Sequence, residues 1–327
     1  MTGALSQPAD GGAWRRQAMD GLLAACCYSA RMAADSPSAV YVGASEPQAV
    51  QRQPAGVLMS WLEQLLHKAV PPHADCLLKV SRELGARIYD RGAGKLADAL
   101  RQMDAAVHEL DYDVVLQPDA DGSEFRTAWQ ASARSARKIA QLAIEIGTWL
   151  EANDQGVRRA TIELRMEQQR LREVLAHGDQ WLADCWVDLR HRRPAEGDAG
   201  GLEKLRALAA KADVLGARMR QLHSAGRAIE EACVLAEHVL TLRKALVQEA
   251  VDVLQPRHSA WEQAVLRMLE AADRADWAGD VGPAQDQDAN LRVDLHRCIT
   301  GCDKLRQEEN ALQRCLVTAC EHLRAAA

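Results

Sequence analysis

The sequence predicts an all-α protein, an elongated antiparallel helical bundle with long coiled-coil-like helices. Three observations carry that expectation. The apolar residues are mainly Ala, Leu and Val, with one Phe, four Tyr and eight Trp in 327 residues, so helix formers dominate. Only the brief SAVYVGA at 38–44 has the β-branched and aromatic character of a strand. Finally, apolar positions recur at alternating steps of three and four from Leu205 to Leu254, which is helical spacing.

Residues 1–56 form a poorly ordered N-terminal region, a short amphipathic helix near 13–34 followed by a linker rich in Pro, Gly, Ser and Gln. Within it, Leu23-Ala24-Ala25-Cys26 follows Arg15 and Arg16 and looks like a lipoprotein cleavage box. Asp20 interrupts the apolar stretch, which falls short of the ~7–15 residues an export signal needs. Residues 57–116 are a short-helix domain. Its first helix, from 57 to about 70, is expected to stop at Pro71-Pro72. A second runs from about 74 to 89, and DRGAG at 90–94 separates it from a third that ends near 110. LQPDADGSE at 116–124 then resets the chain.

Residues 124–270 make the long antiparallel bundle. No proline occurs from 124 to 193, and Phe125, Trp129, Ile139, Leu142, Ile146, Trp149, Leu164, Leu171, Leu182, Cys185 and Leu189 keep the helical spacing. This is one very long helix or two nearly collinear ones, with Asn153, Gly156 and Gly178 as weak points. At ~1.5 Å per residue it extends on the order of 100 Å. Pro194 and AEGDAGG turn the chain back. Of the fifteen seam positions from Leu205 to Leu254, thirteen are apolar; Gly226 and Arg243 are the exceptions. A stripe with a 3.5-residue period must face a partner, and the short loop at 194–201 makes the 124–193 helix that partner. Arg243 is expected to snorkel to the edge or to pair with a facing carboxylate. Pro256 costs ~3 kcal/mol inside a helix and marks a break or sharp kink. Beyond it, Trp261, Val265, Leu266 and Leu269 begin a return helix that folds back on the pair. A last linker at 275–287 precedes the C-terminal helix of 288–327, which starts at about 290.

The order of these elements resembles the toxic-anion (tellurite) resistance family of bacteria. The resemblance rests on KLADALRQMDAAVHELDYDVV (95–115), LGARMRQLHSAGRAIEEA (215–232) and the spacing from Leu222 to Trp261, and it covers about residues 76–270. Trp261 follows Pro256 by five residues where the family has two. EEACVLAEHVL at 230–240 stands in place of the family's proline-glutamine stretch, and the C-terminal helix is shortened. The resemblance implies a cytoplasmic, non-enzymatic helical protein acting in stress, phage or toxin resistance, with no catalytic residues to carry over.

A net charge of −6, with 40 basic and 46 acidic residues interspersed, argues against nucleic acid as a partner. Arg190, His191, Arg192 and Arg193 lie at a helix end, where they complement its dipole. No run of ~18 apolar residues is present to cross a membrane. Nine cysteines, an odd number in a large helical chain, point to free thiols in the cytoplasm. Cys298 and Cys302, one turn apart on the last helix with His296 nearby, are the candidate metal ligands. Cys315, Cys320 and His322 lie further along, but a spacing of five suits one face poorly. Buried cysteines at helical spacing are more often core filler. DRGAGK at 90–95 lacks phosphate-loop spacing, and no nucleophile, base and acid occur in a recognisable order. The expectation is a protein that is no enzyme, has no cofactor and no identified small-molecule substrate, and meets a protein partner or itself through the heptad helix. Two alternatives are a thiol-rich oxyanion or metal binder and a membrane-acting helical toxin or effector with peripheral membrane contact. The Trp residues 129, 149, 181, 186, 261 and 277 are expected as core or end plugs.

Overall fold

The structure is a computed structural model, and it describes residues 53–88, 93–115, 123–192, 198–272 and 280–326. All the described residues belong to one compact unit, Arg52–Ala327. The helix expected at 13–34, SAVYVGA, Trp277, Cys26 and Cys27 lie outside them.

Helix α1 (Ala55–Gln64) passes through a π-helical turn, Leu65–Ala69, directly into α2 (Val70–Ile88). Next come α3 (Ala93–His108), the single turn α4 (Tyr112–Val115), α5 (Ser123–His191) and α6 (Ala199–Gln248). A second π-helical turn, Glu249–Leu254, joins α6 to α7 (Gln255–Ala272), and α8 (Gly282–Ala326) completes the set. The described residues contain no strand, so the protein is an all-α helical bundle.

The expected stop at Pro71-Pro72 and the expected break at Pro256 are corrected. The chain stays helical through Pro71-Pro72 and through Pro256, and no return helix begins after the latter. A proline lacks the N–H for an ordinary helical bond, and its ring crowds the carbonyl four residues back. Here each proline is preceded by a widened turn. The Val70 N–H bonds the Leu65 carbonyl, and the Gln255 N–H bonds the Ala250 carbonyl, each five residues back. The extra residue moves the crowded carbonyl aside. Leu66, Val70, Leu254 and Trp261, all buried, anchor the chain on both sides of the two turns. One further expectation also changes, as the last helix starts at Gly282, inside the expected linker. Of the two readings of 124–193, one very long helix or two nearly collinear ones, the first describes what is found: α5 is continuous over 69 residues through Asn153, Gly156 and Gly178.

These helices make four antiparallel lanes. Lane one, α1 to α4, runs against α5: Ala55 N–H donates to Asp188 Oδ2 at 2.7 Å, His73 pairs with Glu167, and Tyr112 meets Phe125 with ring centroids 5.5 Å apart. Between α5 and the third lane, α6 with α7, the ion pairs are Asp179–His223, Arg172–Glu230, Arg165–Glu237 and Asp154–Lys244. One number rises as the other falls, as antiparallel neighbours require. The fourth lane, α8, runs against the third through Arg218 to the Ala326 carbonyl, Arg243–Glu309 and Arg257–Asp294. It also runs against the first, through Arg101–Asp303 and Arg292 to the Val107 carbonyl. The topology is up-down-up-down.

The seam of α6 therefore has two partners, where one was expected. Ala212, Leu215, Met219, Leu222, Ile229, Cys233, Ala236 and Leu240 are buried, and so is a second strip, Ala225, Ala232, Val239 and Leu246, at seven-residue spacing. With α5 on one flank and α8 on the other, two adjoining stripes leave water together. Trp261 is fully buried between lanes, its Nε1 donating to the Tyr112 hydroxyl at 3.0 Å, while Trp129, Trp149, Trp181 and Trp186 are partly buried against the core. Gly178 marks the tightest approach of three lanes: a Cβ there would lie 2.7 Å from Met219 Cε, 2.9 Å from Leu65 Cδ2 and 3.1 Å from Leu62 Cδ1.

Candidate functional site

The polar centre of the bundle is built on Arg243, which is 1% exposed. Its Nε and Nη2 donate to Glu309 Oε1 at 3.1 and 2.6 Å, and Nη2 also donates to the Ile88 carbonyl at 2.5 Å. The guanidinium stands over the Trp149 ring, 4.6 Å from its centroid. One residue comes from each lane. Ile88 ends α2, so its carbonyl lacks an intrahelical donor, and Arg243 supplies one. The Nη1 group is buried without a partner. Of the two expectations for Arg243, pairing with a carboxylate describes what is found, and the carboxylate comes from the last helix.

Ile88 and Glu309 also line a cleft of about 400 Å³ between α2 and α8. Its walls are mostly apolar: Gly85 and Ile88 on one side, Leu312, Leu316 and Val317 on the other. The cleft exists because residue 85 has no side chain. A Cβ there would stand 3.5 Å from Leu316 Cδ1, in ordinary contact, and anything longer would enter the space. At one end sit Ser81, Arg82, Cys320, Glu321 and Arg324. Ser81 is 1% exposed, and its hydroxyl has no hydrogen-bond partner. Burial pushes the Cys320 thiol up, and the nearby guanidinium groups of Arg324 and Arg82 pull it the other way.

Two lesser clusters tie lanes together. Burial would raise the Glu167 carboxyl, yet hydrogen bonds and charge from His73 and Arg170 outweigh it and hold the group low. Near the other end of the bundle, Asp288 binds Arg292 and Asp294 binds Arg257, and burial pushes the Asp288 carboxyl up against the pull of Arg292. Both clusters cross-link helices.

The structure keeps Cys298 and Cys302 together on the buried face of α8 and leaves His296 off it. Cys298 and Cys302 are 1% and 0% exposed, and burial raises both thiols to about 12. His296 lies on the exposed side of the same helix. Cys315 and Cys320 are half-buried. Among the described residues, no group of three or more His, Cys, Asp or Glu is placed to hold a metal, and no helix is long and apolar enough to cross a membrane.

Glu309 and Ser81 did not stand out in the sequence. For Glu309 there was a signal: it interrupts the ladder Cys298, Cys302, Leu305, Leu312, Leu316, as Arg243 interrupts its own. Two opposite charges breaking two apolar ladders mark a buried pair. Ser81 gives no such sign, because a lone serine in a helix is ordinary.

No family model, curated protein or solved structure matches the chain.

Proposed function

We propose that the protein is a non-enzymatic helical scaffold that works in the cytoplasm through protein–protein contacts, in a bacterial stress, phage or toxin resistance response. The observation that carries the contact reading is a row of apolar side chains facing solvent on α5. Ile144, Ile162 and Met166 are 64%, 55% and 52% exposed. Eighteen residues are five helical turns, so Ile144 and Ile162 lie in line, with Met166 one turn on. Glu151, Gln155, Arg158 and Arg159, all exposed, lie between Ile144 and Ile162, so the apolar contact centres on Ile162 and Met166, neighbours one turn apart. Isolated apolar side chains on a surface are ordinary, whereas such an adjacent pair offers a partner a foothold.

Two other features agree with this reading. The bundle's strongest polar group, Arg243 with Glu309, is spent on joining lanes. The heptad seam of α6 is buried against its own chain, so a partner meets that helix on its outer side, where Val234 is 58% exposed. What supports the stress-response setting is the resemblance of 95–115 and 215–232 to toxic-anion resistance proteins.

The test combines light scattering on purified protein with a photocrosslinker placed at position 162 in producing cells. Self-association, or a crosslinked protein partner, is expected for the wild type, and its loss in the Ile162→Glu/Met166→Glu variant with helicity intact. A wild type that stays monomeric at every concentration and gives the same crosslinks as the variant overturns the reading.

A further inference from the structure

We infer that the cleft between α2 and α8 is a binding site for an amphipathic organic anion, with an apolar tail between the two helices and an acidic head beside Ser81, Arg82 and Arg324. The polarity of the cleft runs along its length. Because α2 and α8 are antiparallel, with Gly85 opposite Leu316, Ser81 and Arg82 fall level with Cys320 and Arg324. Both guanidinium groups act on the Cys320 thiol, which places them at that same end. The opposite end is closed by Ile88, Leu312 and the buried carboxylate of Glu309.

Each part of the cleft favours one part of such a molecule. Gly85 leaves the room that the tail needs, and Leu312 and Leu316, 2% and 6% exposed, give it an apolar wall. The head end holds two exposed arginines against one exposed glutamate, Glu321. That is a net positive charge, and the pull is strongest on the part of a ligand that reaches the rim. Glu309 at the far end is paired with Arg243, so that end offers an acidic head no free donor, and the two arginines at the rim set the orientation. The independent observation is the Ser81 hydroxyl. It is buried and unpartnered in the wall of the cleft, where leaving a hydroxyl without a partner is unfavourable. An oxygen of the head group would accept its hydrogen. Small-molecule sites are typically apolar concavities of ~300–1,000 Å³ with a few such polar groups, and this one is about 400 Å³. The contact row on α5 belongs to another lane, so this site stands or falls apart from the scaffold reading.

The experiment is calorimetric titration of the full chain with dodecanoate, and with dodecyltrimethylammonium as the cation of equal tail. Saturable uptake of one dodecanoate is expected, with the cation bound at least about tenfold more weakly, the scale of two part-exposed charge contacts. Gly85→Leu should abolish uptake, and Arg82→Ala/Arg324→Ala should weaken it by a similar factor. Neither change removes a core side chain, and unchanged circular dichroism and urea midpoints would establish that both variants fold. Equal uptake by Gly85→Leu puts the ligand elsewhere and overturns the proposal. So does equal binding of the cation, or no uptake of dodecanoate. Blocking of dodecanoate by an amphipathic peptide that itself binds more tightly would assign the cleft to a partner helix, and that result also overturns it.

Discussion

Replacing Arg243 by methionine keeps an apolar stem of similar reach and removes a cation that all four lanes touch. Three N–H contacts disappear, two to Glu309 and one to the Ile88 carbonyl, together with the charge over Trp149. What remains is a carboxylate whose side chain is 10% exposed, and a helix-terminal carbonyl without its donor. Removing one partner of a buried pair costs about 3–5 kcal/mol. Glu309 lines the cleft, so water reaches it from that side, and Nη1 already lacks a partner in the wild type. Both facts favour the lower end, about 3 kcal/mol. The double variant Arg243→Met/Glu309→Leu removes both charges, and an apolar replacement of a buried pair is often neutral or stabilising. It should therefore recover most of the loss. Urea unfolding followed by circular dichroism measures all three proteins. A single variant that loses under about 1 kcal/mol, or a double variant no more stable than the single, would refute the assignment of Arg243 as the tie between lanes.

Gly178→Ala should destabilise by up to about 2 kcal/mol, because the ends of Met219, Leu65 and Leu62 must shift to admit a methyl group, an overpacking cost of about 1–3 kcal/mol before the propensity gain. Helix propensity alone predicts a gain of about 1 kcal/mol, so the sign of the change in urea midpoint decides. The imidazole of His258, near Ser132 and Trp261, is held below its ordinary value by burial, with Glu262 pulling partly the other way. The unfolded chain takes up that proton near about pH 6.5 while the folded chain resists. Stability is thus complete above that pH and declines below it until the folded imidazole itself titrates. His258→Gln should flatten the decline between about pH 8 and 5, and an unchanged slope would remove His258 as its source. Native-state maleimide labelling read by mass spectrometry should modify the half-buried Cys76, Cys315 and Cys320 well before Cys233, Cys298 and Cys302, whose thiols burial raises to about 11, 12 and 12. Equal rates would mean that the last helix opens readily.

While the structure decided that α5 is a single helix, the sequence by itself determined the fold class and the antiparallel pairing of α5 with α6. Those properties depend on local spacing: apolar residues every three or four positions, no proline from 124 to 193, and a loop too short for anything but reversal. It also marked Arg243 as out of place in its stripe. Only the tertiary structure decided that Pro71-Pro72 and Pro256 leave their helices unbroken, because the widened turns before them are held by Leu66, Val70, Leu254 and Trp261 buried against other lanes. It likewise decided that α6 lies between two partners. Half of the second stripe is alanine, which signals burial weakly until a neighbouring helix approaches. The cleft was invisible for the same reason. Gly85 lies more than 200 positions from Leu316 in the chain, and the space between them forms only where α2 and α8 meet across that glycine, which no local pattern records.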